Sequence, residues 1–522
     1  MHPTQSILIV GGGTAGWLTA CYLARTLGSA SGGVAVTLVE SKEIGIIGVG
    51  EGTFPSIRAT LAAIGIDEAR FVRACSATFK QGIRFADWVR PPGQNPPGAA
   101  DHYFHPFSLP SQRQGGPELL PYWLLKAAGN HAFADAATMQ KTVADASRGP
   151  KRIGEADFAG AFNYAYHFDA ARFAELLCEQ GQSLGVRRVL ATVERVELDG
   201  AGAIAAVHTK ESGALSADLY VDCTGFGAAL IGKALGSPFK NVNDVLFVDR
   251  AVALQVPYER PDAAIPSYTI SSAREAGWIW DIGLHSRRGT GYVYSSRYGD
   301  AARAEQVLRD YLGGAGADLP MRHLQLNVGY RETQWVRNCV AVGLSGGFLE
   351  PLESSGIGLI ETAAYLIAHL FPFNGDFVPA AAAFNNHMRG RYERIVDFIK
   401  LHYCLSQRRD TPFWRDNTDP ATIPATLRDK LAMWTSRPPH RLDFIVDLEM
   451  YPPSSWQYVL YGMEFATDMA GAAAALPRVE EARREFALLA QVAQRARDDM
   501  PAHRALVEHY CAADLGRLHE AA

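Results

Sequence analysis

A short β-branched apolar run, Ser6-Ile-Leu-Ile-Val10, breaks directly into Gly11-Gly-Gly-Thr-Ala-Gly16. The small and apolar positions of Trp17 to Leu27 follow and read as a helix. A buried-type strand that ends in a glycine turn and opens a helix is the first half of a βαβ unit. In such a turn the first glycine permits the tight bend. The second lets backbone approach a pyrophosphate, and the third lets helix and strand pack closely. The helix N-terminus adds a favourable dipole for phosphate. Gly33-Val-Ala-Val-Thr-Leu-Val39 reads as the second strand, and Glu40 closes it where a carboxylate can hold a ribose. The candidate dinucleotide contacts are therefore Gly11, Gly13, Thr14, Ala15, Gly16 and Glu40. This loop does not separate FAD from NAD, and the plain alternative is a glycine-rich turn that binds nothing.

The chain has 522 residues, 48% apolar and 20% charged, with a net charge of −5. That is ordinary globular composition for one large or two ordinary domains. It leaves no basic footprint for nucleic acid and no polybasic membrane signal. No apolar run approaches the ~18 residues of a membrane span. The chain enters its first strand within about five residues, which leaves no room for a signal peptide. The seven cysteines, Cys21, Cys75, Cys178, Cys223, Cys339, Cys404 and Cys511, are scattered without a CxxC pair. They read as reduced, buried thiols of a cytoplasmic protein.

Further along, Arg90 to Gly116 is rich in Pro, Gly and Gln and reads as loop, although Asp101 to Phe107 is too aromatic for a bland linker. Phe168 to Gly185 has helical period, Val186 to Ala205 and Ala217 to Asp222 return to strands, and Val252 to Val293 mixes short strands with turns. Val340 to Val342 reads as a buried strand and Gly356 to Phe371 as a long apolar helix. Past Asn385 the pattern is mostly helical, and Pro477 to Met500 reads as an amphipathic helix. The whole fits an α/β core with an inserted sheet and a helical C-terminal part.

Five further stretches carry chemistry. Gly48-Val-Gly-Glu-Gly-Thr-Phe-Pro55 is a second glycine-rich segment, offering Gly50 and Thr53, and Asp222-Cys-Thr-Gly-Phe226 ends a strand in small residues. Lys80 sits among Phe79, Gly82, Ile83 and Phe85. A lysine so placed is partly desolvated and its amine can lose a proton near neutral pH, although a lone lysine more often snorkels from a strand face. Val340 to Ile357 reads as strand, glycine turn, constrained loop and helix start, and its backbone N–H groups can form a nest for a small anion. Glu350 and Glu353 flank Pro351 there beside small residues, which points to a packed site over a solvent-facing pair. Gly277-Trp-Ile-Trp-Asp-Ile-Gly-Leu284 places Trp278, Trp280 and Ile282 on one strand face. His102, His105, His167 and His402 lack metal-ligand spacing and read as core or pocket histidines.

Together these runs resemble the flavin-dependent halogenases of the tryptophan halogenase family, from the first glycine loop to about Trp456. The resemblance implies a Rossmann-like FAD-binding flavoprotein core with an inserted β-sheet substrate region and a helical C-terminal part. It divides the chain into 1–385, with about 60–165 and 245–330 on the substrate side, and a substrate-covering 386–522. Lys80, in Lys-x-Gly-Ile-x-Phe, matches the active-site lysine. Glu353 matches the catalytic glutamate, and Ser354 the polar residue beside it. Ser355 and Gly356 match the backbone pair linked to halide, with serine replacing the commoner threonine. Leu344, Gly356 and Ile357 fall at flavin contacts, and Leu344-Ser345 departs from the usual polar-small pair. Trp278, Trp280 and Ile282 match the tryptophan signature that keeps substrate from the flavin, whereas Gly283 replaces its proline and is expected to loosen the backbone. His105, Phe107 and Trp456 fall on the substrate side, with Phe107 offering a face for stacking. Tyr164 to Asp169, Asp249 to Val252, Gly291 to Ser296 and Asp397 to Tyr403 support membership more than any role.

The implied activity uses FADH2, supplied by a separate flavin reductase because no second nucleotide loop is visible. Chloride or bromide and O2 give hypohalous acid, which halogenates an electron-rich aromatic small molecule, an indole or related arene. Bromide is the more easily oxidised halide. The C-terminal segment does not reproduce the pattern that holds the amino-acid part of free tryptophan. A homodimer is suggested by the family and by the apolar helical C-terminal region. An FAD-dependent aromatic monooxygenase, for which Gly283 argues, and a flavin-binding protein without turnover stay as alternatives.

Overall fold

The computed structural model describes residues 2–43, 50–316 and 318–520, with side chains as far as 512. Gly48 and Val49 of the second glycine stretch lie outside the described residues. The chain forms two compact units, one of Met1–Ala77, Phe168–Asn243 and Leu326–Glu393, the other of Thr78–His167, Asp244–Gln325 and Arg394–Ala522.

The first unit is built on a six-stranded sheet in the order Trp335–Val336, Cys339–Ala341, Leu219–Asp222, Ser6–Val10, Ala35–Glu40 and Arg187–Leu190. Every pairing is parallel except that of the edge strand Trp335–Val336. Ser6–Val10 lies inside, with Ile7 opposite both Leu219 and Val36. Covered on both faces, it needs the unbroken apolar run that marks it in the sequence. Its helix spans Thr14–Thr26, beginning three residues before the expected Trp17. The reason is at its start, where Gly13 serves as N-cap and Gly16 is the only residue type that fits. A Cβ on Gly16 would lie 1.8 Å from the Gly11 carbonyl oxygen. An antiparallel sheet of Val193–Leu198, Ile204–Thr209 and Gly213–Leu215, and a small sheet of Phe239–Asn241, Gly329–Arg331 and Gly347–Phe348, also belong to this unit. The helix Ser355–His369 packs on Thr14–Thr26.

The second unit carries a seven-stranded sheet in the order Arg322–Gln325, Arg250–Pro257, Arg287–Tyr294, Gly277–Gly283, Thr269–Arg274, Gly82–Ala86 and His102–Pro106. Only Thr269–Arg274 and Gly82–Ala86 run parallel. The last strand corrects the loop expected across 90–116. Its aromatics are the reason it forms, since Tyr103 stacks on Phe85 with ring centroids 4.7 Å apart. A short ladder pairs Thr78–Lys80 with Ala165–Phe168, placing Thr78 opposite His167 and Lys80 opposite Ala165. The amphipathic helix is Val479–Asp499, whose Ala482, Phe486 and Leu489 pack on Leu119, Tyr122 and Ala136. Cys21, Cys75, Cys178 and Cys339 are buried, but Cys223, Cys404 and Cys511 are half-buried, and none of the seven forms a disulfide.

Candidate active site

The cofactor loop is shaped by its glycines. Gly11 has φ +112°, and a Cβ there would sit 2.3 Å from the Cys223 carbonyl oxygen, so the loop closes against the Asp222–Thr224 corner. Gly13 faces open space and its helix has no side-chain cap. The first N–H groups of this thirteen-residue helix have no side-chain cap among the described residues, an arrangement that suits a pyrophosphate. Ala15 Cβ would be 2.8 Å from a Cβ on Gly343, bringing the Gly343–Ser345 turn to the same place. Ser345 Oγ donates to the Asp222 carbonyl and is buried, so the departure at Leu344-Ser345 supplies a structural bond between two cofactor-side corners. Leu344 itself is half-buried. Gly50 has φ +101° and Thr53 is fully buried. Glu40 closes its strand as expected, but its carboxylate accepts from Arg188 Nε at 2.6 Å and from Trp17 Nε1 at 3.4 Å. The glycine loop and the strand-end carboxylate held by Arg188 thus fit a dinucleotide such as FAD.

The glutamate run is a packed corner. Glu350 and Glu353 are 0% and 1% exposed, which bears out the packed pair over the solvent-facing one. Pro351–Glu353 forms a single 3₁₀ turn, and Ser354 follows at φ 59°, a left-handed conformation that costs a serine about 1 kcal/mol or more. That bend turns the chain into the helix Ser355–His369, which has no side-chain cap. Ser355 and Ile357 are buried, whereas Gly356 is exposed with nothing within 4 Å of a Cβ. The start of this fifteen-residue helix has no side-chain cap, and its dipole favours a small anion there.

Inside this helix Glu361 is buried and accepts from Thr60 Oγ1 at 2.5 Å and Ser56 Oγ at 2.9 Å. Burial lifts its carboxyl to about 7, against the two hydroxyl donors that pull it down. A carboxyl raised on folding gives stability that is present below its unfolded range and is lost as pH rises through the folded value. Glu361→Gln is therefore expected to gain on the unaltered protein by up to about 3 kcal/mol between pH 4.5 and pH 8, as read by urea unfolding at the two pH values.

In the second unit Lys80 is fully buried, with Nζ 5.2 Å from the centroid of the Phe107 ring. The strand Thr78–Lys80 is anchored at several points. Thr78 Oγ1 donates to the Gly283 carbonyl at 2.6 Å, Phe79 N–H donates to His503 Nε2 at 2.9 Å, and Gln81 N–H donates to the Ser267 carbonyl at 2.7 Å. Alternation sends Phe79 to the other face, against Tyr164, Tyr166, Tyr510 and His503. His503 is held down at about 4, first by burial and then by Arg504, so it stays a neutral acceptor for Phe79. His105 is buried with Nε2 2.8 Å from Ser455 Oγ, and Phe107 is half-buried. Trp456 is fully buried among Phe398, Trp434 and Phe444.

Trp278 and Trp280 lie edge-to-face with centroids 6.4 Å apart, on the same face as expected. Ile282 is buried with them, and Trp280 occupies the space over Gly291, where a Cβ would come within 2.1 Å of its ring. Gly283 does not loosen the strand. It pairs with Arg288, its carbonyl holds Thr78, and a Cβ on it would meet Ile265 Cγ2 at 2.8 Å and Tyr258 Oη at 3.0 Å. Tyr258 is fixed in turn by its bond to the Leu284 carbonyl at 2.9 Å. Gly283→Pro is accordingly expected to cost about 1–3 kcal/mol of stability, measured by denaturant titration. Sequence reasoning did not single out Thr78, His503 or Glu361. Period-2 alternation puts Thr78 on the lysine's face, but nothing local marks the other two. Among the described residues no group of three or more His, Cys, Asp or Glu is placed to hold a metal ion, and no helix is long and apolar enough to cross a membrane.

A mostly parallel sheet whose first strand ends in a glycine loop and opens a helix defines the class as a Rossmann-like nucleotide-binding fold. The sequence profile of the tryptophan halogenases matches residues 6–477. Over 519 residues the chain is 38% identical to a tryptophan 6-halogenase of Streptomyces toxytricini, covering 95% of this chain and 96% of that one. Its fold matches the crystal structure of a tryptophan halogenase from Shewanella frigidimarina with TM-score 0.93 and 40% identity, over 98% of each chain. It also matches a flavin-dependent halogenase from Brevundimonas with TM-score 0.85 and 34% identity, over 97% and 99%. The chain belongs to the tryptophan halogenase family. It is a flavin-dependent halogenase, with FAD as cofactor and halide as substrate ion, and the hydroxylase alternative is not favoured.

Proposed function

We propose that the protein halogenates an indole-type arene, with Lys80 presenting the electrophilic halogen and Glu353 stabilising the ring cation. The observation that carries this reading is the complete burial of Lys80 beside an aromatic face, with Nζ 5.2 Å from the Phe107 centroid. A lysine taken out of water gains nothing from solvation and is tolerated where its amine is put to use. When bound as FADH2, the flavin supplies the electrons that turn halide and O2 into hypohalous acid. The Lys80 amine donates a hydrogen bond to the hypohalous oxygen and orients the halogen toward the ring. Phe107 offers the stacking face, and His105 and Trp456 line the same substrate side. As the carbon–halogen bond forms, the Glu353 carboxylate offsets the positive charge on the ring and takes the ring proton. Ser354 bends the chain so that Glu353 is held, and the N–H groups of Ser355 and Gly356 seat the halide. Gly50, Thr53, Leu344 and Ile357 complete the flavin's surroundings, and Trp278, Trp280 and Ile282 wall the arene from it.

The proposal extends to the chain's division. About 60–165 and 245–330 supply the substrate side of a core spanning 1–385, and 386–522 cover it. It extends also to a separate reductase as the source of FADH2, to bromide in preference to chloride, to a homodimer, and to work in the cytoplasm. The test is mass spectrometry of indole after incubation with FAD, a flavin reductase, NADH and equal bromide and chloride. Brominated indole as the main product is expected. Insertion of oxygen without halogen would sink the reading.

A further inference from the structure

Asp281 is 6% exposed and stands between Trp280 and Ile282, so its side chain lies on the face of the strand Gly277–Gly283 opposite to theirs. On that face Ile279 packs with Ala304, Val307 and Leu308 of the helix Ala301–Leu312. The neighbouring strand Arg287–Tyr294 alternates in step. Gly289 and Gly291 lie opposite Ile282 and Trp280, whereas Arg288 and Thr290 lie opposite Gly283 and Asp281. The glycines clear a floor for the Trp280 ring, since a Cβ on Gly291 would come within 2.1 Å of it. Two glycines so close together weaken a strand, because each loses much backbone freedom on folding and offers no side chain to pack. The opposite face supplies the constraint. Arg288 forks onto Asp281, with Nε donating to Oδ1 at 3.0 Å and Nη2 donating to Oδ2. Thr290 Oγ1 donates to Oδ1 at 3.5 Å, and Tyr311 Oη, from the helix, donates to Oδ2 at 3.0 Å. Burial, then the Asp281 charge, push the Tyr311 hydroxyl up, which keeps it a donor.

We propose that Asp281 is a positioning residue for Trp280, its carboxylate tying the two strands and the helix together from behind so that the indole stays over its glycine floor. The inference rests on the reading of Trp278, Trp280 and Ile282 as a wall given above. A strand released at Asp281 lets the wall tilt, and oxygen insertion into the arene then competes with halogenation. That reaction takes one O2 and the two electrons of FADH2, places one oxygen atom in a ring C–H bond and releases the other as water. The expected signature is therefore the ratio of brominated to oxygen-inserted indole. That ratio does not depend on how much enzyme is folded.

Asp281→Asn keeps the shape and one acceptor oxygen but removes the charge from the fork. Ile279→Val, on the same strand and the same face, removes a methyl group and leaves the carboxylate in place, so it measures what a structural loss alone does. Trp280→Ala opens the wall directly. Its difference from the unaltered protein in near-UV circular dichroism is the contribution of the Trp278–Trp280 pair, whose ring centroids are 6.4 Å apart. Product is read by mass spectrometry after incubation of indole with FAD, a flavin reductase, NADH and bromide. Asp281→Asn is expected to lose most of that circular-dichroism contribution and to lower the ratio about tenfold, the order of one charge-assisted hydrogen bond. Ile279→Val is expected to keep the ratio within about twofold. Equal shifts in Asp281→Asn and Ile279→Val, or no shift in Asp281→Asn, would overturn the proposal. Should Asp281→Asn not fold, Tyr311→Phe, which removes one donor and keeps the carboxylate, decides by the same two readings. If Trp280→Ala keeps the ratio, the reading of the wall itself fails, and circular dichroism alone decides whether Asp281 positions Trp280. If Trp280→Ala lowers it and Asp281→Asn does not, only the role of Asp281 fails.

Discussion

Lys80→Met is expected to cut halogenated arene by a factor of about a hundred or more while hypohalous acid is still formed. Positioned proton donors of this kind contribute about 10²–10⁴ in rate. Methionine keeps an unbranched stem and removes the amine that lies 5.2 Å from the Phe107 centroid, so the change is chemical before it is steric. The glycine loop proposed to hold the flavin should be untouched, since Gly11 is packed against Cys223 and Gly16 against Gly11. Flavin affinity, read by fluorescence, should be unchanged, and reduced cofactor should still be consumed with halide and O2. Loss of both activities together would place Lys80 in the fold's support and not in the chemistry.

Glu353→Gln is expected to slow halogenation by about 10²–10³, the loss seen when one preorganised electrostatic contact to a developing charge is removed. Glutamine matches the shape and keeps hydrogen bonding, but it carries no charge and takes no proton. The expected loss is large because the group is 1% exposed and water cannot stand in for it. The single 3₁₀ turn and the left-handed Ser354 hold it there, so a neutral replacement should sit in the same place. Glu350→Gln, three residues earlier and equally buried, is the comparison. It is expected to change the rate by less than about tenfold, because on this proposal it does not face the charge that develops on the ring. Equal losses in the two variants, measured as initial rates of indole bromination, would remove the special role of Glu353.

How legible this molecule was in its sequence depended on range. The cofactor loop was plain because strand, glycines and helix are consecutive, and each glycine answers a local contact such as Gly11 against Cys223. The Glu350–Glu353 corner was legible for the same reason, as proline and small residues fixed a turn. Glu40 was found at its strand end, but its ion pair with Arg188 comes from a strand far along the chain and left no local mark. The strand His102–Pro106 was hidden because a Pro- and Gly-rich surround reads as loop, and only cross-strand stacking on Phe85 reveals it. Gly283 misled most. A glycine in a strand reads as slack, yet here it makes room for Ile265 and Tyr258. His167 stood in a motif that supported membership, and only the register opposite Thr78 brought it beside Lys80.

The central claim is that one buried amine converts freed hypohalous acid into directed halogenation. The most direct measurement is indole bromination in the presence of FAD, a flavin reductase, NADH and bromide, comparing the unaltered protein with Lys80→Met at matched reduced-flavin consumption. The account predicts a bromine isotope pair on indole from the unaltered protein, reduced to the level given by free hypobromite in the variant. Bromoindole that persists undiminished in Lys80→Met would contradict it.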